Sequence, residues 1–424
     1  DEETTLANFD TIISDDVFKE VTGITLDQFR TLRDTCNFFN PIVFDESVQE
    51  FLNKKAALAN YFDDSQSEDI FDYIPPQKTN QIFTPKKVVK LMIDKLEEEN
   101  PGIFSNKEKT FADLYVKSGL YLTEIVKRLY TGLESTIPNK KKRLKHILEK
   151  QIFGFAPSEI IYRISRNYIF GNFPNIDDSN LKCQDLTETA KSGGDLEMKF
   201  DAVVGNPPYQ EEAIGTSTKD LPIYTFFYDL AERTAPIYCL ISPARFLFNA
   251  GGTNKKWNEK MLGDPHVKVL YHEQKSADVF PNTDIKGGIA VIFRNQKKNF
   301  GKIGTFTIFK ELNSILSKVS RLTTTTLDEV ITNRGQYRFS DKIYRDYPEE
   351  MKRITDRRIS TNAFENLPNI FTDKKPSNGS EYSRILGRVG NVRGYKWFKR
   401  EYLSEPKDFD KYKVILPKSN GSGA

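Results

Sequence analysis

The sequence predicts an α/β protein organised on a doubly wound seven-stranded sheet, preceded by a helical N-terminal segment and followed by an irregular C-terminal region. Three observations carry this expectation. The chain has 424 residues, 38% of them hydrophobic, enough for two or three domains with cores of their own. From Thr84 to about Asn295, short apolar runs alternate with stretches of helical periodicity. After residue 300 the alternation stops, and the chain becomes rich in Arg, Lys, Tyr and Gly.

Residues 1–76 read as an acidic, mainly helical segment, with Phe29, Leu32 and Phe51 at helical spacing. The polar run from Asp63 to Asp69 and the pair Pro75-Pro76 mark its end. Strands are expected over Thr110–Leu114, Gln151–Phe155, Asn180–Gln184, Phe200–Gly205, Ile237–Ser242, Val267–His272 and Gly288–Phe293, with helices over Leu120–Leu133, Glu159–Tyr168 and Tyr224–Glu232. Residues 77–300 thus form the central domain and 301–424 a separate α+β module. Ligands of such sheets bind beyond the carboxyl ends of the strands, so functional residues should cluster there. The chain stops at Asn420-Gly-Ser-Gly-Ala424, directly after the strand-like Tyr412–Leu416, and the last module is therefore expected to be incomplete.

Charge is unevenly spread. Residues 1–70 hold sixteen acids against five Lys and Arg, so the net charge of +3 conceals a basic remainder that suits a polyanion. Cys36, Cys183 and Cys239 stand far apart, and only His146, His266 and His272 could join them, which argues against a metal site. No run of eighteen apolar residues occurs and the first thirty positions carry acids, so neither a membrane span nor a secretory leader is expected. A cytoplasmic, reduced, metal-free protein follows as the expectation.

At the end of the apolar run Phe200–Gly205 stands Asn206-Pro207-Pro208-Tyr209. A chance match to these four residues arises at about one position in 10⁵ to 10⁶. Their chemistry suits an exocyclic amine, a poor nucleophile because its lone pair is delocalised into the ring. Such an amine needs hydrogen-bond acceptors that orient and polarise it. The side-chain oxygen of Asn206 can take one amino hydrogen and the carbonyl of Pro207 the other. Pro207 and Pro208 stiffen that carbonyl in an extended direction. Tyr209 offers a π face to a base drawn out of a duplex. The plainer alternative is a strand-terminating turn.

With this framework the sequence resembles the amino-group DNA methyltransferases of bacterial restriction-modification systems, in the order that places cofactor motifs first and target recognition last. The resemblance covers about residues 80–300. It implies a Rossmann-like sheet, S-adenosylmethionine as methyl donor, and the N6 amino group of a flipped adenine as target, ahead of N4 of cytosine. Gln81 to Met92 resembles the motif before the first strand, with Thr84 as helix cap and Pro85 in the first helical position, near the methionine carboxylate of the cofactor. Asp113 to Gly119 resembles the cofactor loop: Asp113 is expected to pair with the cofactor's amino group, while Ser118 and Gly119 keep the small residues that let backbone approach a ligand. Asp185, after the third strand, matches the acid beside the cofactor's adenine. Two positions depart from the pattern. Lys117 stands where many relatives have glycine, and Ala156 stands where an acid holds the ribose; Glu159, three residues on, is either a substitute or a surface acid at a helix start. In the family, the Phe280 to Gly288 loop contributes to the target-base pocket, and Phe280 is either its second wall or a core residue.

Residues 384–400 interleave Arg384, Arg388, Arg393, Lys399 and Arg400 with Tyr395 and Trp397, which suits phosphate contacts and base edges of double-stranded DNA in a target-recognition region; a solvated strand pair is the alternative. A cytosine-C5 enzyme is excluded, because none of the three cysteines follows a proline. Three rivals remain: an N4-cytosine enzyme, a methyltransferase of rRNA or of release-factor glutamine, and a catalytically weak DNA-binding subunit. Restriction or specificity subunits, or a nuclease domain fused outside this chain, are the further partners that the resemblance implies.

Overall fold

The computed structural model describes residues 3–63, 83–211, 221–249, 252–319 and 335–414 apart from positions 174, 282, 391 and 407, together with a few residues between 322 and 332. The boundary expected near residue 76 and the end of the Tyr412–Leu416 run lie outside these residues; Tyr412, Lys413 and Val414 are not in a strand. Two compact units divide the chain, residues 1–313 and 314–424.

The first unit opens with short helices, among them α1 (Asp15–Thr22) and α2 (Leu26–Arg30), and the longer α3 (Pro41–Leu58). Thr25 and Gln28 cap α2 reciprocally, and Asn40 with Pro41 starts α3. Leu6, Phe18, Leu26 and Phe29 form a small core here. Phe51 stays exposed, in contrast to the expectation from its spacing. Asp10 holds both Arg30 and Arg33 at 2.6 Å.

The seven strands are β1 (Phe111–Asp113), β2 (Ile152–Ala156), β3 (Leu181–Cys183), β4 (Ala202–Gly205), β5 (Ile237–Pro243), β6 (Val267–Glu273) and β7 (Ile289–Asn295). They lie in the order β3-β2-β1-β4-β5-β7-β6, and β7 alone runs antiparallel to both its neighbours. Each falls within two residues of its expected bounds. The reason is physical: strands covered on both faces are near-continuous apolar runs, and Ala202–Gly205 and Ile289–Asn295 are buried throughout.

Helices α4 (Lys86–Glu99), α5 (Leu120–Gly132) and α6 (Glu159–Phe170) bury Met92, Ile125 and Ile169 in one core, whereas α7 (Tyr224–Thr234) and α8 (Lys255–Gly263) bury Tyr228 and Trp257 in another. The sheet is thus covered on both faces, as a doubly wound fold requires. The switch in strand order falls between β1 and β4, which places a crevice at their carboxyl ends.

The second unit has its own core around Phe339, Phe364, Phe371 and Phe398. Besides the short pair β8 (Arg338–Phe339) and β11 (Leu403–Ser404), it holds the hairpin β9 (Tyr382–Val389) and β10 (Val392–Lys399). Among the described residues no helix is long and apolar enough to cross a membrane, and no three His, Cys, Asp or Glu side chains gather as a metal site.

Candidate active site

The strand β4 ends at Gly205, and the four residues that follow are all buried. A Cβ on Gly205 would lie 2.7 Å from Asp113 Oδ1, so only glycine leaves room for the carboxylate at the end of the neighbouring β1. Asp113 Oδ1 also accepts the backbone N–H of Tyr115 at 3.0 Å. A small cavity of about 10 Å³, room for about one water, is lined by Asp113, Tyr115, Gly205, Asn206, Pro207 and Phe227.

Asn206 is oriented from outside its own loop. Its Nδ2 donates to the hydroxyl oxygen of Thr84 at 3.0 Å, a bond buried on both sides. The Tyr121 hydroxyl lies 3.4 Å from the same Thr84 oxygen and donates to Met92 Sδ at 3.1 Å. Since the amide nitrogen is committed to Thr84, the side on which Oδ1 lies is fixed. The Tyr209 phenol faces the Asn206 side chain. Its ring meets Phe280 edge to face, with centroids 6.5 Å apart and planes at 72°.

This geometry corrects one expectation. Pro85, with φ −58° and ψ 144°, is the N-cap of α4, and Thr84 stands one position outside the helix. The extended backbone of Pro85 removes Thr84 from capping distance, and its hydroxyl serves Asn206 instead.

The Asp113–Gly119 loop departs further from a glycine-rich cradle. Lys117 is buried, with its Nζ 5.7 Å from the Tyr209 ring centroid and 6.0 Å from that of Tyr115. Burial pushes its amine down to about 7, with Asp113 opposing the shift, and burial pushes the Asp113 carboxyl up to about 7, opposed by the Tyr115 N–H and by Lys117. Ser118 Oγ accepts the Leu120 N–H at 3.3 Å. Gly119 starts α5 at φ +91°, where a Cβ would also press on Ile169 at 3.0 Å.

Asp185 is exposed beyond β3 and caps the turn after it, its Oδ1 accepting from the N–H of Thr187 at 2.9 Å and its hydroxyl at 2.6 Å. Tyr115 lies within the electrostatic reach of Asp185 and packs edge to face on Phe227 at 5.6 Å. Ala156 is fully buried at the end of β2, and Glu159 holds Arg163 at 2.7 Å. Thr84, Asp113, Lys117, Asn206, Tyr209 and Phe280 therefore come together. Thr84's bond to Asn206, the Tyr121 contact and the Lys117 position left no signal in the sequence, since the partners are separated by 37 to 122 residues or by an unmatched loop residue.

The C-terminal cations fall into two groups. Arg384, Arg388 and Arg393 are exposed on the hairpin. Lys399 pairs with Glu401, and Arg400 holds both Glu405 and Asp410, the latter at 2.6 Å.

The class to which this chain is similar is that of the restriction-modification methylases. Residues 117–280 match the family described as Eco57I restriction-modification methylase. A Mycoplasma pneumoniae protein described as an uncharacterized adenine-specific methylase is 22% identical over 353 residues, covering 67% of this chain and 82% of that one. Among solved structures, the DNA-bound Type ISP restriction-modification enzyme LlaBIII matches 94% of this chain at 12% identity with a TM-score of 0.42. The methyltransferase subunit of a type I system from Streptococcus thermophilus matches 68% at 17% identity with a TM-score of 0.38. The chain spans 64% of the Streptococcus subunit and only 37% of LlaBIII.

Proposed function

We propose that this chain transfers a methyl group from S-adenosylmethionine to the N6 amino group of an adenine turned out of double-stranded DNA, within a restriction-modification system. The observation that carries this reading is the buried amide of Asn206, its nitrogen bound to Thr84 and its side chain facing the Tyr209 phenol at the end of β4. In this reading Asn206 Oδ1 takes one amino hydrogen, the Pro207 carbonyl takes the other, and Tyr209, backed by Phe280, stacks on the base. Pro208 keeps the loop extended. The description of the Mycoplasma relative favours adenine over cytosine.

The residues at the strand ends fit a cofactor with a cationic head. Asp113, Ser118, Gly119 and Asp185 would hold it, Thr84 and Pro85 would border its carboxylate, and bound S-adenosylmethionine supplies a sulfonium methyl. Gly205 supports the fit, because any larger residue would displace the Asp113 carboxylate. Lys117 and Ala156 fit less well, and on them rests the second reading, a DNA-binding subunit with weak catalysis. Phe280, Arg384, Arg388, Arg393, Lys399 and Arg400 were the expected DNA contacts; Phe280 serves here through Tyr209, and residues 301–424 are proposed as the target-recognition region. Restriction or specificity subunits, or a fused nuclease, belong to the same proposal.

The test is tritiated methyl transfer to duplex DNA, with the modified nucleosides separated by mass. N6-methyladenine that disappears in Asn206→Ala supports the proposal. N4-methylcytosine would replace the target, and calorimetry showing no cofactor binding at millimolar ligand would leave the second reading.

A further inference from the structure

The hairpin of the second unit is a two-stranded antiparallel ribbon whose faces differ. Cross-strand partners share a face, and the register pairs Arg384 with Trp397, Leu386 with Tyr395 and Arg388 with Arg393. These side chains occupy one face, on which Arg384, Leu386, Arg388, Arg393 and Tyr395 are all exposed. The opposite face is the anchor: Phe398 is fully buried, and a Cβ on Gly387 would strike the Phe364 ring at 2.7 Å.

The exposed face is charged without compensation. Between Tyr382 and Lys399 there are five Lys and Arg and no Asp or Glu. Arg388 and Arg393 stand directly opposite one another, an arrangement that costs stability unless an anion lies between or above them. Among the described residues neither forms an ion pair, whereas Lys396, on the anchoring face, holds Asp373 at 3.0 Å, and Lys399 and Arg400 are paired at the base of the ribbon. Arg384 is exposed and lies over the Tyr395 ring at 4.4 Å, a contact that stiffens its side chain.

The dimensions match duplex DNA. Two strands about 4.8 Å apart enter a major groove about 12 Å wide. Arg384 and Arg388, four residues apart, are separated by about 14 Å along an extended strand, close to four base-pair steps of about 3.4 Å. We infer that this face of the ribbon lies in the DNA major groove, where Arg384, Arg388 and Arg393 read base edges, with guanine O6 and N7 the preferred partners. The inference rests on the proposed DNA methyltransferase activity and adds to it the element that selects the sequence.

Genomic DNA from cells expressing the wild type and the single variants Arg384→Gln, Arg388→Gln and Arg393→Gln is sequenced with detection of methylated bases. All three positions are exposed, so the variants keep the fold, which thermal melting checks. The expected result is a methylated motif that becomes degenerate at one guanine position in at least one variant while methylation continues. Replacing that guanine by 7-deazaguanine in a synthetic duplex then lowers wild-type transfer about five- to 150-fold, and lowers it much less in the matching variant. An unchanged motif in all three variants, or a uniform loss of methylation at every site, overturns the inference and leaves the activity standing. A wild type that methylates no DNA overturns the activity itself, and the inference with it.

Discussion

Asn206 and Thr84, 122 residues apart in the chain, meet in a buried hydrogen bond of 3.0 Å in which the amide nitrogen donates to the hydroxyl oxygen. The bond decides which way the amide faces, so in the proposed reaction Thr84 would act through Asn206 without touching the reacting amine. Thr84→Val keeps the shape and removes the partner. Its kcat is expected to fall about two- to thirteenfold, the worth of one net hydrogen bond, while the cofactor KM stays near the wild-type value. Thr84→Ser should recover most of the rate. A rise in cofactor KM with kcat unchanged would assign Thr84 to the cofactor alone.

Asn206→Ala should lower methyl transfer by about 10²- to 10³-fold, as removal of one preorganised polar group does elsewhere. Because Thr84 then loses its donor inside the protein, the variant should also be destabilised by about 1 kcal/mol. Tyr209→Phe should retain much of the activity, since the ring and its contact with Phe280 survive, whereas Tyr209→Ala should weaken base capture by about 1–3 kcal/mol. Transfer assays paired with thermal melting separate these outcomes; wild-type rates in Asn206→Ala would sink the catalytic assignment.

Lys117 gives a pH signature. Burial lowers its amine from 10.5 to about 7 in the folded protein, so between those values the unfolded chain binds a proton that the folded chain lacks. Stability therefore rises with pH across this window, and the cost of burying the charge is greatest below pH 7. Lys117→Met should melt higher than wild type at pH 6, and the advantage should shrink towards pH 10. Asp113, deprived of a neighbouring cation, shifts the balance in the same direction as the pH rises. Cofactor affinity should increase in this variant, because a sulfonium no longer meets an ammonium. A constant melting difference across pH 6–10 would show that Lys117 is not buried with its charge.

Gly205→Ala tests the fit of Asp113. The added methyl would begin 2.7 Å from a carboxylate oxygen, which can move aside because it ends a side chain. The fold should survive, while cofactor Kd rises about ten- to 150-fold, the loss expected for a hydrogen bond to a charged group. Calorimetry and melting on the same sample decide it; unchanged affinity would remove Asp113 from the cofactor site.

The sheet was legible in the sequence because its parallel strands are buried on both faces, leaving runs such as Ala202–Gly205 that hardly read as anything else. The Asn206–Tyr209 loop stood out because it is four consecutive residues at a strand end. Relationships made by tertiary packing were not. Thr84 read as a cap because a Thr-Pro pair commonly starts a helix, but the ψ of Pro85 moved the start by one residue. Lys399 and Arg400 looked equivalent to Arg384, Arg388 and Arg393 until Glu401, Glu405 and Asp410 folded back on them. Phe51 kept a helical spacing yet found no core, as α3 is only weakly amphipathic.

The central place of β4 has a consequence for how the protein is made. Synthesis runs from the N-terminus, yet β4 is flanked by β1, completed earlier, and β5, which follows more than thirty residues later. Tyr209 reaches its final neighbour only when Phe280 has left the ribosome. The nascent chain thus carries its Asn-Pro-Pro-Tyr loop for some seventy residues of translation before Phe280, the last of its neighbours, exists. At about 5–20 residues per second this is an interval of several seconds, during which an apolar strand waits unpaired on one edge and chaperone binding is most useful.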